Sequence, residues 1–125
     1  MKINESGENY LETILILKER NNIVRSIDIA KEMNFSKASV SRAVNKLKDE
    51  EYICVDDAGL IDLTEKGLSL ATKIYDRHRF FTDFLIYLGV DARIAQADAC
   101  KIEHVLSQES YQAMKSYLTK VKKID

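Results

Sequence analysis

Three side chains that bind transition metals lie close together near the C-terminal end of the sequence. Cys100, Glu103 and His104 stand at positions i, i+3 and i+4 of a predicted helix. Residues at this spacing share one helix face, so a thiolate, a carboxylate and an imidazole would project from a single patch. These groups are common ligands of divalent transition metals. A Cys–His nucleophile is the weaker interpretation, because no glycine-rich turn beside Cys100 supplies an oxyanion hole. We therefore predict a metal site and no enzyme.

Other candidate ligands lie far from this patch in the sequence. The sequence has only two histidines, and His78, the one besides His104, falls on the preceding predicted helix. Asn9 and Glu12 are three residues apart on the first predicted helix and offer oxygen ligands from one face. Ordinary solvent exposure is the alternative for these two positions. The predicted metal ligands are Asn9, Glu12, His78, Cys100, Glu103 and His104.

A second candidate site is the stretch 36–47. Ser36 is a good N-cap, and Val40, Val44 and Leu47 follow with the spacing of a buried helical stripe. The opposite face carries small polar side chains and cations, which can approach base edges and phosphates without steric conflict. A solvated helix face is the alternative. The predicted DNA-binding residues are Ser36, Lys37, Ser39, Ser41, Arg42 and Lys46.

Charge is unevenly distributed along a nearly neutral chain. The formal net charge is −1, yet residues 23–48 contain six basic and two acidic side chains. Residues 49–63 contain six acidic side chains and no basic one. A local basic patch on a neutral chain is more typical of a regulated DNA-binding protein than of one that binds polyanions through general basicity.

The elements that must position these residues follow from hydrophobic periodicity. The first half predicts helices over 6–20, from a Ser26 cap to Met33 and over 36–47, with a short strand at 23–24. After Glu51 the period changes to two, which predicts a hairpin of strands 52–55 and 60–63 with an acidic tip. The pattern predicts a winged helix-turn-helix DNA-binding domain over residues 1–70.

The pattern of the second half predicts an all-helical metal-binding and dimerisation domain over residues 71–125. A long helix from a Thr64 cap to about Leu88 crosses into this domain, and two further helices run from Ala92 to Leu106 and from Gln108 to Val121. The aromatic half of the first of these favours a homodimer interface, with an internal core as the alternative. The fold class is therefore mainly α.

Composition limits the remaining possibilities. The chain has 125 residues, of which 46% are hydrophobic, with four glycines and no proline, so it suits one helical domain or a small domain with an extension. No apolar stretch reaches the roughly 20 residues of a membrane span. We expect a cytoplasmic protein without a membrane partner, in which Cys54 and Cys100 are reduced.

The sequence resembles the DtxR/MntR family of metal-dependent transcriptional repressors. The motifs that carry this resemblance are 8–12, 36–47, 63–67, 77–79, 89–91 and, most specifically, Asp98–Ser107 with His78 in register. The resemblance implies a winged-helix DNA-binding domain, a helical dimerisation domain and activation of operator binding by a divalent metal.

The resemblance also assigns individual ligands. Cys100, Glu103 and His104 match the principal site of the iron-responsive branch, whose methionine ligand falls at Asn9, where the manganese branch has aspartate. Glu12 and His78 match ligands of the manganese branch, and His78 also matches an ancillary ligand of the iron branch. Gln96 stands where the iron branch has a further histidine, so the site is a hybrid.

Together these observations predict a homodimeric repressor of metal-uptake genes that binds double-stranded operator DNA in response to Fe²⁺ or Mn²⁺. Zn²⁺, Co²⁺ and Ni²⁺ also suit a site with thiolate and imidazole ligands. Two alternatives stay open at this point. One is a winged-helix regulator not controlled by metal, and the other is a metal-binding interaction module without an operator.

Overall fold

Six α-helices and a two-stranded antiparallel sheet make up the part of the chain that the computed structural model describes, residues 3–122. In order they are α1 (Glu5–Asn21), α2 (Ser26–Met33), α3 (Lys37–Asp49), β1 (Ile53–Val55), β2 (Ile61–Leu63), α4 (Glu65–Tyr87), α5 (Ala92–Ile102) and α6 (Gln108–Lys122). One compact unit ends at Thr72 and a second begins at Lys73. The predicted mainly α class is confirmed.

Short polar side chains fix where the helices begin. The Asn4 side chain accepts a hydrogen bond from the Gly7 backbone N–H at 2.8 Å at the start of α1. At α2 the N-cap position is Arg25, whose backbone N–H donates to the Asp28 carboxylate at 2.9 Å. The predicted Ser26 cap is therefore wrong by one residue, because Asp28 supplies the capping oxygen from inside the first turn.

The core of the first unit is formed where α1, α2, α3 and the hairpin pack together. Its fully buried side chains include Leu11, Ile14, Val24, Ile29, Val40, Ile53 and Ile61. The predicted stripe of α3 is buried as a whole, since Val44 and Leu47 join Val40 in this core. Asn34, in the left-handed conformation with φ of +58°, provides the turn from α2 to α3. The result is a helix-turn-helix followed by a β-hairpin wing.

The predicted strand at Ile23–Val24 is wrong. Val24 is buried, and its carbonyl oxygen accepts one hydrogen bond from the Ile61 backbone N–H at 2.8 Å. Ile23 is half exposed. Two β-branched residues indicate an extended segment, but a strand needs successive ladder hydrogen bonds with a neighbour.

The wing is a tight hairpin whose acidic tip is partly structural. β1 and β2 pair antiparallel, with Cys54 opposite Asp62. At the turn, the Asp56 carboxylate accepts hydrogen bonds from the backbone N–H groups of Ala58 and Leu60, at 2.9 and 2.8 Å. Gly59 follows with φ of +83°. One of the two tip carboxylates thus builds the turn.

The core of the second unit is aromatic. Phe80 and Phe81 of α4 are buried with Ala99 of α5 and Tyr111 of α6. The Phe80 and Tyr111 rings meet edge to face, with centroids 5.6 Å apart. Farther along α4, Tyr87 is 54% exposed. The aromatic half of this helix therefore supplies both an internal core and an uncovered surface. Within residues 3–122, no helix is long and apolar enough to cross a membrane.

Gly67 allows the start of α4 to lie directly against β1. The Thr64 hydroxyl donates to the Glu51 carbonyl oxygen at 2.7 Å and accepts from the Gly67 N–H at 3.1 Å. A Cβ atom at Gly67 would overlap the backbone carbonyl of Tyr52. The helix start and the wing are thus joined by a contact that only glycine permits.

We expect Gly67→Ala to lower the free energy of unfolding by roughly 1–3 kcal/mol, because backbone must move to admit the methyl group. Urea denaturation of the purified protein measures the change. Ser69→Ala is the control, since Ser69 is an exposed residue of the same helix and its replacement should leave the denaturation midpoint unchanged. Identical denaturation midpoints for Gly67→Ala and the wild type would show that this contact is not tight.

Candidate metal centre and DNA-reading helix

Four of the predicted ligands come together inside the second unit. One ligand atom each from Cys100, Glu103 and His104 lies within 4.8 Å of the other two. α5 ends at Ile102, four residues before the predicted end, so Glu103 and His104 occupy the turn that follows. Glu103 nevertheless keeps right-handed helical dihedrals, and its N–H donates to the Ala99 carbonyl at 2.9 Å. Cys100, Glu103 and His104 therefore still project to one side, as the i, i+3, i+4 spacing predicted, although the helix has ended.

Glu103 is the centre of this cluster. It is 1% exposed, and its Oε1 lies 2.8 Å from Nδ1 of His78 on α4. Its other oxygen, Oε2, has no hydrogen-bond partner among residues 3–122. Nε2 of His104 lies 3.8 Å from Oε2. A buried carboxylate oxygen without a partner is costly, so this position calls for a cation.

The surrounding donors fit a divalent metal ion. The side chain of His104 is 2% exposed and that of His78 is 24% exposed, while Cys100 is half-buried and outside any disulfide. Sulfur, imidazole nitrogen and carboxylate oxygen around one buried point form a set of ligands typical of first-row transition metals. The cluster can bind a metal ion, and shielding from water would strengthen that binding.

Asn9 and Glu12 lie in the first unit, on α1. Glu12 is buried, with 7% of its surface exposed, and Asn9 is half-buried. Neither is the ordinary solvent-exposed position that the sequence left open. A buried carboxylate on an otherwise apolar helix face points to a specific role for Glu12.

Two residues near the cluster were missed by the sequence reasoning. Thr82, one turn after His78 on α4, has a buried hydroxyl without a hydrogen-bond partner in the described part of the chain. Arg77, the neighbour of His78, is 6% exposed. The available signal was position: Thr82 is at i+4 from a candidate ligand, and Arg77 directly precedes that ligand in the sequence.

The predicted DNA-binding residues occupy one exposed face of α3 and its cap. The Ser36 hydroxyl accepts from the Ser39 N–H at 3.1 Å, so the predicted cap is confirmed. Arg42 donates from Nη2 to the Ser39 hydroxyl at 3.4 Å. Ser39 is half-buried, whereas the others are exposed: Ser36, Lys37, Ser41, Arg42 and Lys46. These contacts hold the guanidinium in a defined direction on a solvent-facing surface.

Tyr10 of α1 lies behind this face. Burial raises the pKa of the Tyr10 hydroxyl, and the nearby positive charge of Arg42 partly opposes that rise. Tyr10, Arg42 and Lys46 line the same cavity of about 210 Å³ between the start of α1 and α3. Tyr10 of the first helix therefore faces the same cavity as Arg42 and Lys46 of the candidate reading helix.

Comparison with known proteins agrees with this architecture. Residues 2–59 match the iron dependent repressor, N-terminal DNA binding domain, and residues 64–124 match the iron dependent repressor, metal binding and dimerisation domain. An uncharacterised HTH-type transcriptional regulator of Methanocaldococcus jannaschii is 37% identical over 122 residues, which cover 96% of this chain and 98% of that relative. The HTH-type transcriptional regulator MntR of Listeria welshimeri is 35% identical over 105 residues, covering 84% of this chain and 74% of MntR.

Solved structures show the same likeness. The manganese regulator SloR superposes with a TM-score of 0.81 at 32% identity, over 98% of this chain and 56% of SloR. The metal-dependent transcriptional regulator MtsR gives a TM-score of 0.82 at 28% identity, over 94% of this chain and 54% of MtsR. This chain thus spans a little over half the length of these two structural relatives.

A winged-helix unit followed by a helical unit with a cluster of Cys, Glu and His side chains that could hold a metal ion is typical of the class of metal-responsive transcriptional regulators. The two matched domains and the relatives above identify the family within that class. The chain belongs to the iron-dependent repressor family, also called the DtxR/MntR family. Its members are regulators and not enzymes, and membership favours a metal-responsive regulator over both alternatives that the sequence left open.

Proposed function

We propose that this protein is a homodimeric repressor that binds operator DNA when its metal site is filled. It would act in the cytoplasm and control metal-uptake genes. The observation that carries the proposal is the buried Glu103 carboxylate, with one oxygen against His78 and the other unpartnered beside His104. A regulator needs a site whose occupancy changes its stability or shape, and an unsatisfied buried anion is such a site.

We propose that Cys100, Glu103, His104 and His78 hold the metal ion in the second unit, with Glu12 and Asn9 supplying ligands from the DNA-binding unit. A bound divalent ion would supply the positive charge that the Glu103 carboxylate and an ionised Cys100 require. Ligand groups contributed by both units would link metal occupancy to operator affinity, and coupling of this kind is typically about 1–3 kcal/mol. The functional boundary would fall near residue 70.

The choice of metal follows from the ligand types. Carboxylate and amide oxygens suit Mn²⁺, whereas the Cys100 thiolate and the two imidazoles raise affinity for Fe²⁺, Co²⁺, Ni²⁺ and Zn²⁺. The neutral amide of Asn9 adds no charge to the set. We propose Fe²⁺ or Mn²⁺ as the physiological signal, which is consistent with the iron dependent repressor model and with the relatives described as manganese regulators.

Operator recognition is proposed to use the exposed face of α3. Arg42, already directed by Ser39, would reach a guanine edge or a phosphate. Ser36 and Ser39, at the N-terminal end of α3, would contact the backbone, while Lys37 and Lys46 would contact flanking phosphates. In a twofold dimer, two such helices would meet half-sites about one helical turn, or a multiple of it, apart.

The DNA-reading proposal predicts that Arg42→Ala weakens operator binding by about 1–3 kcal/mol if Arg42 contacts a base. Fluorescence anisotropy measures this with duplexes selected from a random library by the Mn²⁺-loaded wild type. Lys120→Ala, a change in an exposed cation of α6, is the control and should leave affinity unchanged. Unchanged affinity in an Arg42→Ala, Lys37→Ala double variant would mean that another face reads the DNA.

The metal proposal predicts that Glu103→Gln and His104→Ala abolish the increase in operator affinity produced by Mn²⁺ or Fe²⁺. His104→Ala removes a ligand and Glu103→Gln removes the negative charge of another, while the aromatic core of the same unit stays in place. The same selected duplexes are titrated with each variant at several metal concentrations and with a chelator. Circular dichroism and sedimentation check that fold and oligomeric state persist. Wild-type operator affinity in His104→Ala at saturating metal would refute the proposal.

A further inference from the structure

Arg77 is a buried cation that binds the turn containing two of the proposed ligands. Its Nη1 donates hydrogen bonds to the carbonyl oxygens of Glu103, at 3.1 Å, and Leu106, at 2.8 Å. Its Nη2 donates to Oε1 of Gln108 at 2.9 Å. The guanidinium carbon lies 5.2 Å from the centre of the Tyr111 ring. One side chain of α4 thus contacts the end of α5, the turn and the start of α6.

These carbonyl groups need donors because α5 has ended. The last carbonyls of a helix and those of the following turn have no partner within the helix, and a buried carbonyl without a partner is unfavourable. Arg77 supplies two of the missing donors from a neighbouring helix. The backbone from Glu103 to Leu106 is therefore held in place by a contact outside its own segment.

Glu103 is held at both of its ends by consecutive residues of α4. His78 contacts the side chain at Oε1, and Arg77 contacts the main-chain carbonyl. With these two points fixed, the remaining oxygen Oε2 has little freedom, and it lies 3.8 Å from Nε2 of His104. The direction of Oε2 thus depends on Arg77 as well as on His78.

We infer that Arg77 is a positioning residue of the metal site: it fixes the backbone of Glu103 and His104 and so sets metal affinity without binding the ion. The inference rests on the proposed function. Groups that orient metal ligands typically change metal affinity 10–100-fold when they are mutated. The planar guanidinium makes three hydrogen bonds in a fixed arrangement that a lysine ammonium cannot reproduce.

The test is a Co²⁺ titration of the full chain, followed by the visible absorption spectrum of the bound ion, in wild type and Arg77→Lys. We expect Arg77→Lys to bind Co²⁺ about 10–100-fold more weakly. Lys115→Gln is the matched control, because Lys115 also lies over the Tyr111 ring, at 5.7 Å, but makes no hydrogen bond to the turn among the described contacts. It should bind Co²⁺ as the wild type does.

Thermal unfolding with and without Co²⁺ separates positioning from a purely structural role. A ligand that binds the native state raises Tm in proportion to the logarithm of its affinity, so a positioning role predicts a smaller Co²⁺-induced rise in Arg77→Lys than in the wild type. Equal rises, with Tm lowered by the same amount in both states, would overturn the inference. If Arg77→Lys does not fold, Gln108→Ala replaces it as the test, because it removes one hydrogen-bond partner of Arg77. Weaker Co²⁺ binding by Gln108→Ala would support the inference, and unchanged binding would contradict it.

The same titration distinguishes this inference from the proposed function. If the wild type binds Co²⁺ and Arg77→Lys binds it with the same affinity, the role of Arg77 is overturned and the metal site is not. Wild-type protein that does not bind Co²⁺ overturns the metal site and, with it, the role of Arg77.

Discussion

The second unit contains a buried carboxylate of which only one oxygen has a hydrogen-bond partner among the described residues. Glu103 is almost completely inaccessible, and the surrounding chain satisfies its Oε1 but not its Oε2. Ile102, the residue before Glu103, packs against the aromatic core of Phe80, Phe81 and Tyr111, so the segment that carries the carboxylate is attached to an apolar core. A surface carboxylate would be hydrated, and its interactions with protein partners would contribute little to the free energy of unfolding. Burial makes this position sensitive to the presence of a cation.

The DNA-binding unit depends on a different kind of constraint, the close approach of backbone segments. The three helices are joined by short turns, and the hairpin packs against α1 and α3 with Ile53 and Ile61 fully buried. Thr64 and Gly67 attach the start of α4 to the backbone beside β1. The exposed face of α3 can then be polar, because every apolar residue of its stripe is used in the core. Tyr10 of α1 lines the same cavity as Arg42 at the edge of that face.

Periodicity and ligand spacing in the sequence predicted most of the helices and the group of Cys100, Glu103 and His104, because both depend on contacts three and four residues apart. His78 joins this group from another helix, 25 residues before Glu103, and was predicted as a candidate ligand by its residue type and not by spacing. The strand at Ile23–Val24 and the length of α5 were mispredicted, since both depend on which distant hydrogen-bonding group is available as a partner. The Val24 carbonyl oxygen accepts a hydrogen bond from the Ile61 N–H, which does not extend into a ladder over residues 23–24 in the described part of the chain. The carbonyls beyond Ile102 find Arg77. The importance of Arg77 could not be derived locally, because its partners lie 26 to 31 residues away.

We propose that metal occupancy of the Glu103 cluster and operator binding are thermodynamically linked. Linkage requires that DNA raise metal affinity by the same factor by which metal raises DNA affinity. Equilibrium dialysis of Mn²⁺ against wild-type protein, with and without a saturating duplex selected by the loaded protein, measures this directly. We expect tighter Mn²⁺ binding in the presence of the duplex, by roughly 5- to 150-fold. Equal Mn²⁺ affinity with and without DNA would contradict it.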